Sequence, residues 1–273
     1  MKKVLFSLVA LSFFFASCNK DSAQEIIEEG TTTSEDLATL QNLTQDTEDE
    51  VDAIVDALNT NTLNTEGPCP IVTVSPDDGS FPRTLTIDYG TEGCEGPYGR
   101  IRKGQIIVEQ SDFMRIGGAV RTINLQNFSV DNVGIEGSKS WTNNGYDNDG
   151  NISLAREVSI SISYPDGTQA NWNAAHTLSQ IEGADTEAWM DNVYQVTGNS
   201  SGVNRNGVAF SVSIIEPLTK NKFCRWIQSG VKEYTFGEFT RILDYGDGTC
   251  DNIATVTYNN GQTRPIRIKA WWR

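Results

Sequence analysis

The chain has 273 residues and a formal net charge of −15, from 36 acids and 21 bases, with one histidine and five cysteines. That length is enough for one large domain or two small ones with a proper core. The acidity argues against nucleic acid, because a phosphate backbone selects Lys and Arg, and a lone imidazole removes most schemes built on paired histidines.

In chain order, Lys2 and Lys3 precede an apolar run from Val4 to Phe15, and the small residues Ala16 and Ser17 lead to Cys18. This is the pattern of a cleaved export signal over residues 1–17, too short to span a bilayer. Phe15-Ala16-Ser17-Cys18 resembles a bacterial lipobox, with Phe15 in the place of the usual Leu. The resemblance implies acylation of Cys18 and a lipid anchor in the outer membrane, each buried methylene contributing about 0.8 kcal/mol. Asn19-Lys20-Asp21 resembles the Lys-plus-acid signal of surface-exposed Bacteroidota lipoproteins, although Ser22 stands where a second acid is usual. Asp21-Ser22-Ala23 looks like the O-glycosylation acceptor of the same group.

Residues 18–66 form an acidic tether: positions 19–66 alone carry a charge of −12, while residues 67–273 carry −5. Ser34-Glu35-Asp36 has the chemistry of a helix start, a capping hydroxyl followed by acids near the positive dipole end. Leu37, Leu40, Thr44, Thr47, Val51, Ile54 and Leu58 follow a 3-4 spacing. Such a stripe fits a short coiled coil, a helix lying on the body, or a partly helical solvated spacer. The run Glu48-Asp49-Glu50 and the two threonines in mid-stripe favour the spacer.

From Gly67 onward the pattern changes to short β-branched and aromatic runs broken by turn dipeptides. Strands are predicted at Arg83–Asp88, Gly104–Gln110, Val120–Val130, Glu157–Tyr164, Val193–Thr197, Val208–Ile215, Ile227–Thr235, Ile253–Tyr258 and Arg264–Ala270. Val158, Ile160 and Ile162 alternate with Ser159, Ser161 and Ser163, the mark of a strand buried on one side. Pro165-Asp166-Gly167, Asn206-Gly207, Asp247-Gly248 and Asn259-Asn260-Gly261 read as turns. Asp185–Met190 is the one helical segment expected here. The fold class is therefore all-β, an antiparallel β-sandwich or meander over residues 67–273. Thr86-Ile87-Asp88-Tyr89-Gly90 with Cys94 parallels Ile242-Leu243-Asp244-Tyr245-Gly246 with Cys250, which raises the prospect of two related lobes.

Beyond the anchor, Cys69, Cys94, Cys224 and Cys250 make an even count, read as two disulfides in an exported protein. Of three connectivities, the local pairs Cys69–Cys94 and Cys224–Cys250 are favoured, since each involves one copy of the repeated segment. No metal-ligand spacing, phosphate loop or dinucleotide fingerprint points to a cofactor. Gly198-Asn199-Ser200-Ser201-Gly202 matches a hydrolase elbow by letter, but His176 precedes the serine and a strand follows it, so a glycine-rich turn is expected. Asp147-Asn148-Asp149-Gly150-Asn151 has oxygen ligands at alternate positions, as Ca²⁺ requires, without the closing glutamate of an EF-hand. Trp141, Trp172, Trp189, Trp226, Trp271 and Trp272 raise the question of sugar stacking against the commoner role of core packing.

Thr197-Gly198 with Gly202, Asn204-Arg205-Asn206-Gly207, Cys224-Arg225-Trp226 and Asp244 to Asn252, together with the first copy of the repeated segment, resemble a family of Bacteroidota outer-membrane lipoproteins without an assigned activity. The resemblance implies an all-β cell-envelope domain and transfers no catalytic residue. The expected role is non-enzymatic binding or structure at the cell surface, with membrane contact through Cys18 and a glycan or an envelope protein as partner. The alternative is a glycan-active hydrolase using carboxylates such as Asp88 and Asp244.

Overall fold

A computed structural model describes residues 20–63, 69–96, 99–186 and 188–268. Cys18, Trp271 and Trp272 lie outside them. Among the described residues, one α-helix, α1 (Lys20–Asn59), precedes fourteen strands. These are β1 (Ile71–Ser75), β2 (Arg83–Asp88), β3 (Cys94–Glu95), β4 (Ile101–Gln110), β5 (Val120–Val130), β6 (Val133–Tyr146) and β7 (Ile152–Ser163). The chain continues with β8 (Gln169–Glu182), β9 (Val193–Val203), β10 (Ala209–Asn221), β11 (Ser229–Phe236), β12 (Phe239–Asp247), β13 (Ile253–Tyr258) and β14 (Thr263–Arg267). All join one open antiparallel sheet in which each strand lies beside its chain neighbours, except that β3 pairs only with β4. In the segment Asp185–Met190, expected to be helical, the described residues hold only the start of a single 3-10 turn, Trp189–Asp191.

The helix belongs to the core. Leu37, Leu40, Leu43, Val51 and Val55 are buried in one cluster with Ile87, Ile106, Ile123, Ile160, Trp172 and Phe210. The solvated spacer expected for this stretch is therefore replaced by a packed helix, and the 3-4 stripe faces the sheet. Neither does the helix begin at Ser34, whose hydroxyl donates to the Gly30 carbonyl at 2.7 Å from within a continuous helix.

The sheet must curl to reach the helix from so many strands. Side chains from β2 (Arg83), β4 (Arg102), β5 (Arg121), β6 (Lys139), β7 (Arg156) and Lys222, just after β10, all contact α1. Laid flat, the seven strand spacings from β2 to β10 would cover roughly 34 Å, about three times the width of a helix. Register breaks help bend the sheet. Two of them fall beside Gly104 in β4 and Gly230 in β11, where a Cβ would sit 2.2 Å and 2.3 Å from backbone oxygen of an adjacent strand.

Cys69–Cys94 and Cys224–Cys250 are bonded, with sequence separations of 25 and 26. Each closes the open end of a hairpin, β1–β2 or β11–β12, and loops of this size stabilise by about 3.5 kcal/mol in the chain-entropy model. Pro70 and Pro76 bracket edge strand β1, and Pro265 sits in edge strand β14, which blunts both edges against further pairing.

Candidate functional site

The two ends of the sheet differ in kind. At one end the strands are joined by tight turns at 131–132, 164–168, 204–208, 237–238 and 259–262 and by one long connection, 89–100, which carries β3. At the other end the connections are 76–82, 111–119, 147–151, 183–192, 222–228 and 248–252, mostly longer. Loops held by a rigid scaffold are where binding groups collect. Most of the exposed apolar side chains lie there too, among them Tyr146 and Phe223, each 76% exposed, and Ile116 and Ile181, while Ile71 and Ile101 lie at the turn end.

Helix α1 runs from the turn end to the loop end. Near the turns, Asp36 is fully buried and accepts from the Arg205 backbone N–H and Nε, each at 2.6 Å, and from Tyr164 Oη at 2.6 Å. At mid-length Glu48 pairs with Arg156 at 2.7 Å and Glu50 with Arg102 at 3.1 Å, while Lys139 Nζ donates to the Thr44 carbonyl at 2.9 Å. Burial raises the Glu50 carboxyl above its ordinary range, against the pull of Arg102, and the Tyr89 hydroxyl donates to it. Farther on, Asp52 faces Arg121 at 2.7 Å and Lys222 at 3.2 Å. Burial works against the Asp52 carboxylate, but the two cations hold it below the usual range. At the loop end, Asn59 Oδ1 accepts from Arg83 at 2.9 Å.

Where the last turns of α1 meet loops 111–119 and 183–192, the packing leaves a cavity of about 200 Å³. Its apolar wall is Val55, Phe113, Met114 and Leu154, and its polar groups include Asp56, Arg121, Gln180, Asn192 and Tyr194. Gln180 Nε2 donates to Asn192 Oδ1 at 2.8 Å, and Asn192 Nδ2 donates to Tyr194 Oη at 3.0 Å, which fixes three side chains of the wall. Arg121 is 9% exposed, and its Nε–H has no hydrogen-bond partner among the described residues. Burial pushes the Tyr194 hydroxyl up to about 12, so it stays protonated and able to donate.

A second hollow of about 560 Å³ lies on the outward face of β6–β10, lined by small side chains such as Ser138, Ser159, Asn173, Ser201 and Ser211. The register sets these five directly opposite one another across the strands.

The sequence candidates are dispersed. Asp88 and Asp244 each accept a backbone N–H two residues on, from Gly90 at 2.7 Å and Gly246 at 2.8 Å. Asp88 ends β2, whereas Asp244 lies within β12 at a register break, and eight strands separate the two in the sheet order. Gly198 to Gly202 lie inside β9 rather than in the expected turn, and Ser200 is a buried strand residue. Asp147 Oδ1 accepts from the Asp149 and Asn151 N–H groups at 3.0 Å and 2.9 Å, so that oxygen closes its own loop. Trp172 is core, at 2% exposure, and Trp141 lies beneath the Arg156 guanidinium. His176 on β8 meets Arg156 at 3.3 Å, and all four described cysteines are in disulfides. No group of three or more His, Cys, Asp or Glu side chains is placed to hold a metal among the described residues.

Sequence reasoning singled out none of the cavity's polar groups. They come from the end of α1, β5, β8 and the start of β9, and no local spacing links them. Comparison with known proteins finds no matching family model, curated protein or solved structure.

Proposed function

We propose that this protein is a lipid-anchored cell-envelope protein with a non-enzymatic binding role, displayed from the outer membrane through Cys18. The observation that carries the reading is a polarity. The helix enters at the turn end, where Gly30 packs near Phe236 and Arg241, while the cavity, most of the longer connections and most of the exposed apolar side chains lie at the other end. An anchor at Cys18 leads into α1, so it would set the turn end toward the membrane and the loop end away from it. A glycan is the favoured ligand, because the loop-end cavity offers separate donors and acceptors against an apolar wall. The hydrolase alternative loses support from the eight strands that separate Asp88 on β2 from Asp244 on β12.

Two measurements test this reading. Wild-type chain should partition with outer membranes and be shaved by protease on intact cells, whereas Cys18→Ser should release it from the membrane fraction. A glycan array probed with the purified protein should show a reproducible ligand. A Cys18→Ser protein that stays membrane-bound, or an array with no ligand, would each remove its half of the reading.

A further inference from the structure

The loop-end cavity is more selective than a general hollow, because the groups left over after internal pairing are identifiable. Asp56 lines it with a carboxylate that has no ion-pair or hydrogen-bond partner among the described residues. Gln180 spends its amide N–H on Asn192, which leaves its carbonyl Oε1 available. Arg121 commits Nη1 to Asp52 and retains a buried Nε–H with no partner among the described residues. Asn59 accepts from Arg83 through Oδ1 and keeps its amide donors. Tyr194 accepts from Asn192 and keeps its own O–H. The unused set is thus two acceptors and three donors, beside Phe113, Val55 and Leu154.

That mixture fits a particular chemistry. A hydroxyl both donates and accepts, so a ring of hydroxyls can satisfy Asp56 and Gln180 as donors and Arg121, Asn59 and Tyr194 as acceptors. The C–H face of such a ring suits the apolar wall. A compact anion is disfavoured, because Asp52 and Asp56 flank the site and Arg121 is already paired with Asp52. A volume near 200 Å³ falls below the range of about 300–1,000 Å³ typical of drug-sized ligands, so it admits a single ring.

The position of Asp56 adds a second line of argument. It stands in the last turn of α1, which holds no basic residue, where the helix dipole is negative and an unpaired acid lowers stability. Its carboxylate is not there to hold the helix.

We propose that this cavity binds one neutral sugar ring, the terminal residue of a glycan, with Asp56 and Gln180 accepting from its hydroxyls and Arg121 Nε donating to one. The proposal rests on the binding reading above and assigns it a site and a ligand class.

The test is saturation-transfer NMR and calorimetry on the full chain in detergent, with a panel of neutral methyl hexopyranosides and N-acetylhexosaminides and one hexuronic acid. At least one neutral glycoside should bind in the millimolar range expected for so small a ligand, and better than the uronic acid. Gln180→Ala should weaken that binding about tenfold or more. Asp56→Asn should do the same while raising Tm by about 1–3 °C, a combination that a merely structural role cannot produce. Asn199→Ala, in the outward hollow, should leave binding unchanged. Tighter binding of the uronic acid, or affinity unaltered in both cavity variants, overturns the proposal. If array ligands bind but respond only to Asn199→Ala, the inference fails alone and the binding reading stands; an empty array removes both.

Discussion

His176 shows how a single side chain ties the fold to pH. Arg156 can only donate, so the contact between its Nη1 and His176 Nδ1 at 3.3 Å makes Nδ1 the acceptor and leaves the ring proton on Nε2. Burial, with Arg156 and Lys232 close by, lowers the imidazole to about 3 from its ordinary 6.5. The folded state thus holds His176 neutral where the unfolded chain would protonate it. A depressed folded value gives stability that is complete above 6.5 and is lost as pH falls toward 3. The loss from this residue approaches about 1.4 kcal/mol per pH unit across that window. His176→Gln should therefore flatten the dependence of unfolding free energy on pH between 6.5 and 4.5, measured by urea titration at several pH values. Carboxylates such as Asp52 also titrate on the acid side, but they are common to both proteins and cancel in the difference. Parallel pH curves for wild type and variant would show that His176 is not the group responsible.

At the scale of elements, the acidic helix and the basic sheet face are complementary, and Arg156 is the clearest joint between them. Its Nε and Nη2 donate to Glu48 Oε1 at 3.0 Å and 2.7 Å, with both residues buried and Trp141 and Trp172 beside the guanidinium. Removing one partner leaves a buried charge uncompensated, whereas removing both does not. Arg156→Met should cost about 3–5 kcal/mol, and adding Glu48→Met should recover most of it, as read by chemical denaturation of the three variants. Additive losses would mean that the pair is solvated and uncoupled. The same joint explains what the sequence could and could not reveal. Strands with clean alternation are legible, and Arg83–Asp88, Val120–Val130 and Ile253–Tyr258 have the expected bounds. Strand β6 is not, because its inward face carries Lys139 and Asn143 and glycines interrupt its pattern. Strand β8 hides similarly behind small inward residues, Ala170 and Ala174. The helix was legible as a stripe but not as core. Asp36, Glu48 and Glu50 look like solvated acids until their partners, 39 to 169 residues away, fold over them. The cavity is the extreme case, since its groups meet only in the folded chain.

For the whole molecule, the charge of −12 in residues 19–66 takes on a different meaning once α1 is inside the sheet. Asp36, Asp46, Glu48, Asp49, Glu50 and Asp52 face arginine and lysine side chains from across the sheet, so this part of the negative charge is internal counter-charge. The helix also covers the largest apolar cluster, including Ile87, Ile106 and Ile162, each at 0% exposure. A helix that seals the core should open only when the sheet opens. Native-state hydrogen exchange on the full chain checks this directly. Amides of residues 37–55 should exchange with the same opening free energy as those in the centre of β7 and β8, and with the same denaturant dependence. A solvated stalk would instead exchange its helical amides at rates near those of a free peptide, with little denaturant dependence. Salt separates the two pictures as well, because buried pairs are screened much less than exposed ones. Protection of 37–55 should persist between about 0.1 M and 1 M NaCl, where the Debye length shrinks from roughly 10 Å to 3 Å. Helix amides that lose protection before β7 and β8, or protection that collapses with salt, would return α1 to the role of a spacer and leave the concave face of the sheet without its cover.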